Sequence, residues 1–216
     1  MLNMDFNKRV VIETQQKSWL ESSQPGVFCI PLATEATAAG HVTSLVRYEA
    51  GASIANNQHG LGEEIMVVEG TVSDEDGDYP SGHYFRYPPG YFHTLQSKDG
   101  CVLLVKLHQF KNNDDQVIHV DTRDGDWYAG YGDLEVMPLH NFEGESTALV
   151  HWPAGAHFQP HFHGGGEEIY VLHGEFIDEH GRYPAGSWIR SPHMSKHDPY
   201  VKEDTLILVK VGHLRI

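Results

Sequence analysis

Cysteine is nearly absent from this chain: Cys29 and Cys101 are the only two in 216 residues, and no Cys-x-x-Cys occurs. A disulfide framework and a cysteine-rich zinc finger are thereby excluded. Long apolar runs are missing as well. The opening MLNMDFNKRVVIETQQKSWL lacks the apolar core of a signal peptide, so a cytoplasmic protein with no membrane association is expected. Positive charge is scarce: 15 Lys and Arg stand against 30 Asp and Glu, for a formal net charge of −15. That balance argues against nucleic acid and anionic lipid as partners. No helical period is sustained beyond a single turn near residues 13–20. Neither a Ser-His-Asp pattern nor a cysteine nucleophile can be argued, because both cysteines sit in apolar, strand-like contexts that favour inert burial.

What is present is a repeat. Shifted by 104 residues, HGLGEEIMVVEGTVSDEDGDYPSG (59–82) lies on HGGGEEIYVLHGEFIDEHGRYPAG (163–186) without a gap. The match continues through Arg86 on Arg190, Pro88 on Pro192, His93 on His197 and LVK 104–106 on LVK 208–210, giving 21 identities in the 48 positions of 59–106. A gapped echo precedes it, in which Trp19 and IPL 30–32 answer Trp127 and MPL 137–139. The period is too long for a solenoid and marks duplicated domains, divided here as 1–112 and 113–216.

Each half reads as short strands between turns. TSLVRY (43–48), EEIMVV (63–68), HYFRY (83–87) and VLLVKL (102–107) are rich in β-branched and aromatic residues. The segments EAGAS, GLG, DEDGDYPSG, YPPGY and SKDG break them apart. Strands this short and closely spaced predict an all-β sandwich or small barrel, twice over.

The stretch HFHGGGEE (161–168) carries the chemistry. With 16 histidines in the chain, chance alone supplies a His-x-His pair, so its surroundings must decide. On a strand, residues i and i+2 share a face, and His161 and His163 can both look into a barrel. The glycines 164–166 allow a sharp reversal, after which Glu167 opens the next strand. His197 follows a hairpin and a proline-containing turn that could return it to the same place. Three imidazoles and a carboxylate suit a divalent metal. No Gly-Lys-Ser/Thr follows the glycine run, so it is not a phosphate loop.

These spacings resemble the cupin superfamily, with first motif G-x5-H-x-H-x3,4-E-x6-G and second motif G-x5-P-x-G-x2-H. Here Gly155, His161, His163, Glu167 and Gly174 match the first, and Gly186, Pro192 and His197 the second, with Met194 where glycine is usual. The spacing selects Glu167 over Glu168. The resemblance implies two tandem cupin barrels, of the double-stranded β-helix or jelly-roll kind, with metal among His161, His163, Glu167 and His197. In the first half Gly51, His59, Glu63, Gly70, Gly82, Pro88, Gly90 and His93 are in place, but Asn57 stands where the first histidine belongs. A second, weaker metal site there would use His59, Glu63 and His93, with Asn57 adding only an amide oxygen.

The wording around the motif, with tryptophan and a Pro-Leu upstream, is similar to the cupin-like domain of the zinc-binding anti-sigma factor ChrR. The cysteines of that family's sigma-binding domain are lacking, so sigma-factor binding is not carried over. Of the remaining histidines, His157, His173 and His193 are expected at the surface or satisfied in the core. His151 is the one most expected beside the metal, and His83 has the same standing in the first half. Arg86 and Arg190 are expected in structural ion pairs more than as inward anion binders. The reading this favours is a divalent-metal-binding regulatory or sensing double cupin that takes a small-molecule ligand and has the homodimer common for such barrels. Zinc is the expected metal, ahead of iron, manganese and nickel, and four protein ligands would close its tetrahedron. The alternative is a non-heme dioxygenase or isomerase acting on a small polar molecule such as a β-diketone, with an octahedral metal keeping two open positions. A third reading is storage or a purely structural role.

Overall fold

The computed structural model describes residues 1–58 and 60–214, the side chains of 55–58 excepted. Apart from a 3-10 turn at Thr14–Gln16, the regular elements are β-strands, paired antiparallel throughout. Among the described residues no helix is long and apolar enough to cross a membrane. The strands expected from composition are found within a few residues: Val42–Tyr48, Glu63–Ser73, His83–Tyr87 and Cys101–Leu107. Their β-branched and aromatic residues alternate between a core face and an opposite face, as a pleated strand requires.

The chain forms two compact units, Met1–Met4 with Ser18–Asp124, and Asp5–Lys17 with Gly125–Ile216. Compared with a division at 112/113, each half has given its leading strand to the other. Val10–Glu13 pairs with Ser187–Ser191, placing Val10 opposite Arg190. Ile118–Asp121 pairs with His83–Tyr87, placing Ile118 opposite Arg86. Since Arg86 and Arg190 are repeat equivalents, the two leading strands fill the same place in the two units.

In the second unit a seven-stranded sheet runs Val10–Glu13, Ser187–Ser191, Glu167–His173, Thr205–Val211, Glu145–Trp152, Glu135–Phe142, Tyr128–Ala129. A three-stranded sheet of Gly181–Pro184, Glu175–Asp178 and Tyr200–Val201 and the short ladder of His161–Phe162 with Lys196–His197 accompany it. The core includes Trp152, Ile169, Val171, Phe176, Tyr183, Ile189 and Ile207. In the first unit the corresponding strands carry a core of Tyr48, Ile65, Val67, Phe85, Tyr87, Leu103 and Val105.

Residues one step along these strands point to the other face. There, in each unit, stands a buried polar quartet: Thr43, Glu64, Arg86 and Lys106 in the first, and Thr147, Glu168, Arg190 and Lys210 in the second. The strand registers pair Glu64 with Arg86 and Lys106, and Glu168 with Arg190 and Lys210. The Arg86 guanidinium bonds Asp114 at 2.8 Å and lies 3.9 Å from the Phe110 ring centroid. Arg190 is covered by Phe6 at 4.9 Å, and burial lowers its pKa. Both arginines thus stand on the sheet face opposite these core residues.

Candidate metal centre

The second unit assembles its candidate ligands from three segments. In the short ladder, His161 stands opposite His197. From His163 the chain turns through Gly164–Gly166, with φ of +75° at Gly165 and +73° at Gly166, a conformation glycine adopts freely. A Cβ on Gly166 would meet the Leu214 side chain at 2.4 Å, so the turn is also too tight for a larger residue. It is held by hydrogen bonds from Gly166 N–H to the His163 carbonyl and from Gly165 N–H to His193 Nδ1. His193, expected to be a surface or satisfied residue, is therefore part of the loop's support.

This reversal delivers Glu167 as the first residue of its strand. One ligand atom from each of His161, His163, Glu167 and His197 then lies within 4.8 Å of the others. His163, Glu167 and His197 are buried, and His161 is half-buried.

Burial depresses the pKa of His161, and burial together with His197 and His161 depresses His163 to about 3. Neutral imidazole is the form that binds metal. Burial pushes Glu167 up to about 7, opposed by His197 and Arg9. His163 Nε2 and Glu167 Oε2 are buried and lack a hydrogen-bond partner. His197 Nε2 stands 3.8 Å from Glu167 Oε2, beyond hydrogen-bonding reach. Each such atom costs about 1–3 kcal/mol if left unpaired. A divalent cation would satisfy them together, and three imidazole nitrogens with one carboxylate oxygen are a donor set it accepts.

Sequence reasoning missed the groups that orient this cluster. Asp178 lies 3.6 Å from His197 Nδ1, turning Nε2 toward Glu167. Asp178 accepts hydrogen bonds from Arg9 at 2.7 Å, from the Tyr183 hydroxyl at 2.8 Å and from the backbone of His180 and Gly181. Burial works to raise the Asp178 pKa, but His197, Tyr183 and Arg9 bring it down to about 2. It stays a carboxylate and fixes the ring of its histidine, the usual task of a group behind a metal ligand. One signal was available: Asp74 and Tyr79 recur as Asp178 and Tyr183 across the repeat, and in the first unit the Tyr79 hydroxyl likewise donates to Asp74 at 2.9 Å. His161 Nδ1 is engaged by the Gln159 carbonyl at 3.0 Å.

A cavity of about 250 Å³ opens beside the cluster, bounded by Val150, Trp152, Phe158, Phe176, Ile207 and Val209 among others. Phe158 packs on His161 at 4.3 Å between ring centroids and on Tyr131 at 4.7 Å. His151 does not reach this cavity. It pairs with Glu135 at 2.9 Å beside Trp127 and lines a separate surface depression with His173. The cause is strand alternation: Val150 and Trp152 border the cavity. His157 pairs with Asp198 at the surface.

In the first unit, Glu63 and His93 meet directly, Oε2 to Nε2 at 3.0 Å, both buried. Asn57 is opposite His93 in the backbone register; its side chain and all of His59 lie outside the described residues. Tyr87 packs edge-on against His93 at 4.5 Å and stacks on Tyr91 at 4.6 Å. His83 is turned to the Pro80 carbonyl and Asp121, away from Glu63. Burial raises both cysteine thiols, and neither is in a disulfide.

Two tandem antiparallel barrels built on this repeat, one carrying a His-His-Glu-His cluster, define a double cupin. The chain belongs to the ChrR cupin-like domain family, whose model matches residues 7–111 and again 115–215. No curated protein matches it. Among solved structures it is similar to a candidate dioxygenase of Nostoc punctiforme, with a TM-score of 0.78 at 14% identity over 95% of this chain and 82% of that one. A cupin 2 conserved barrel domain protein of Leptotrichia buccalis aligns at TM-score 0.64 and 12% identity, over 98% of this chain and 99% of its own. Oxalate decarboxylase of Bacillus subtilis, which has Mn(II) centres, aligns at 0.65 and 14% identity, covering 100% of this chain and 78% of that enzyme. At such identities these likenesses show the fold alone.

Proposed function

We propose that the second barrel holds a divalent metal, zinc foremost, on His161, His163, Glu167 and His197, and that it works as a metal-dependent sensing module for a small ligand. The observation that carries this is the buried pair His163 Nε2 and Glu167 Oε2, left without partners inside a cluster of four candidate ligands. A bound metal, accepting donors beyond the four protein ligands as zinc does when it expands its coordination, would supply a Lewis acid for the ligand's oxygens. The protein's own part is to keep His161 and His163 neutral, hold His197 through Asp178, and shield the site with apolar walls. Elemental analysis of the purified chain tests this: about one zinc per chain, lost in His163→Ala, supports the reading. Failure to hold zinc, iron or manganese after reconstitution sinks it.

The cavity beside the cluster gives a second reading, a non-heme dioxygenase or isomerase, some support. The Mn(II) centres of the oxalate decarboxylase are in keeping with chemistry on this fold, though one fold hosts many functions. Oxygen uptake by the iron-loaded chain with a panel of β-diketones and 2-oxo acids separates this from sensing.

A further inference from the structure

We infer that the second barrel selects a ligand with a single metal-binding head and an apolar body, and rejects dianions. This rests on the metal reading above and adds the chemical class. The cavity holds about eight waters' worth of space at roughly 30 Å³ each, so the ligand has on the order of ten non-hydrogen atoms. Among the described residues its walls contain no lysine, arginine, serine, threonine or side-chain amide, and outside the His-Glu cluster the lining is aliphatic and aromatic. The half-exposed Tyr131 carries a hydroxyl, and Trp152 Nε1 is sealed among protein atoms.

The cations of this sheet are directed elsewhere. Arg190 and Lys210 follow Ile189 and Val209 along their strands, on the face opposite the cavity. Beyond the metal, none of the described residues lining the cavity can neutralise a second carboxylate, and an unpaired buried charge is costly. A ring or branched alkyl group instead meets Phe158, Phe176 and Val209 and gains the burial of an apolar side chain.

The experiment is calorimetry on the full, zinc-loaded chain with three probes that offer similar chelating heads: phenylpyruvate, pyruvate and oxalate. Phenylpyruvate is expected to bind at least about tenfold more tightly than pyruvate, the gain for burying a phenyl-sized group, with oxalate weakest. Val209→Phe, which fills the cavity, is expected to abolish that advantage while zinc content and pyruvate binding persist. Phe158→Ala, which sits off the strands, repeats the test at the cavity edge should the first variant not fold. Oxalate binding as tightly as phenylpyruvate, or no heat from any probe, overturns the inference while elemental analysis still finds zinc. Phenylpyruvate binding indifferent to both variants also overturns it. Loss of zinc itself overturns the metal reading and this inference together, and the elemental analysis tells the two failures apart.

Discussion

The two barrels have nearly the same motif spacing and different interiors. In the second, His161, His163, Glu167 and His197 gather beside an apolar cavity. In the first, Glu63 and His93 are joined by a direct 3.0 Å hydrogen bond, with Tyr87 edge-on against His93 and stacked on Tyr91. The repeat equivalents of those tyrosines are Ser191 and Ser195. Two large aromatic rings thus stand in the first barrel where the second carries two small hydroxyl side chains. A metal motif sets where the ligands stand; the bulk of its neighbours sets whether anything else can approach. Among the described residues, duplication has left a four-residue cluster beside a cavity in one barrel and a directly bonded Glu-His pair in the other.

The sharpest test of this asymmetry is removal of one histidine from each side. His163→Ala is expected to take the metal content from about one per chain to near zero, while His93→Ala leaves it unchanged. Equal loss from both variants would erase the distinction. Next in size, Tyr87→Ser hollows the first barrel and is expected to cost about 3–5 kcal/mol by urea unfolding, as for deletion of a buried aromatic. Its mirror, Ser191→Tyr, overpacks the second barrel and is expected to cost about 1–3 kcal/mol.

Smaller still is the effect of the group behind His197. Asp178→Ala should weaken metal binding roughly 10–100-fold in competition with a chelator, and Asp74→Ala, its counterpart, should not change it. Arg9→Ala is expected to act in the same direction as Asp178→Ala and by less, because Tyr183 and two backbone N–H groups still hold the carboxylate.

The smallest effect concerns one backbone angle. Gly90 has φ of +87°, and Met194, in the same place of the second motif, has +59°. A residue with a Cβ pays about 1 kcal/mol there. Met194→Gly is therefore expected to stabilise by up to about 1 kcal/mol, and Gly90→Met to destabilise by a similar amount, both read from urea midpoints.

Much of the fold was legible because its signals are local. Alternation of β-branched and aromatic residues marked the main strands. A repeat of 104 residues marked the duplication. The spacing of His161, His163, Glu167 and His197 is itself geometric, since i and i+2 share a strand face and a glycine turn reverses the chain. His151 was expected beside the metal because its strand lines the barrel; alternation puts Val150 and Trp152 there instead, a parity that sequence leaves unassigned until one residue's facing is known.

By itself, then, the sequence determined the strands, the duplication and the four candidate ligands, all of which depend on contacts along the chain or on a repeated spacing. Only the tertiary structure decided which strand completes which sheet, what stands behind His197 and what the second barrel's cavity is lined with. Val10–Glu13 joins Ser187–Ser191 in the second unit, and Arg9 meets Asp178 across 169 residues of chain. Such pairings are selected by shape and burial in the folded molecule, where any of several edge strands and carboxylates would satisfy the local pattern equally well. The residues around each cluster follow the same rule: tyrosine and serine fit a strand alike, and only packing against the facing residues gives the difference its consequence.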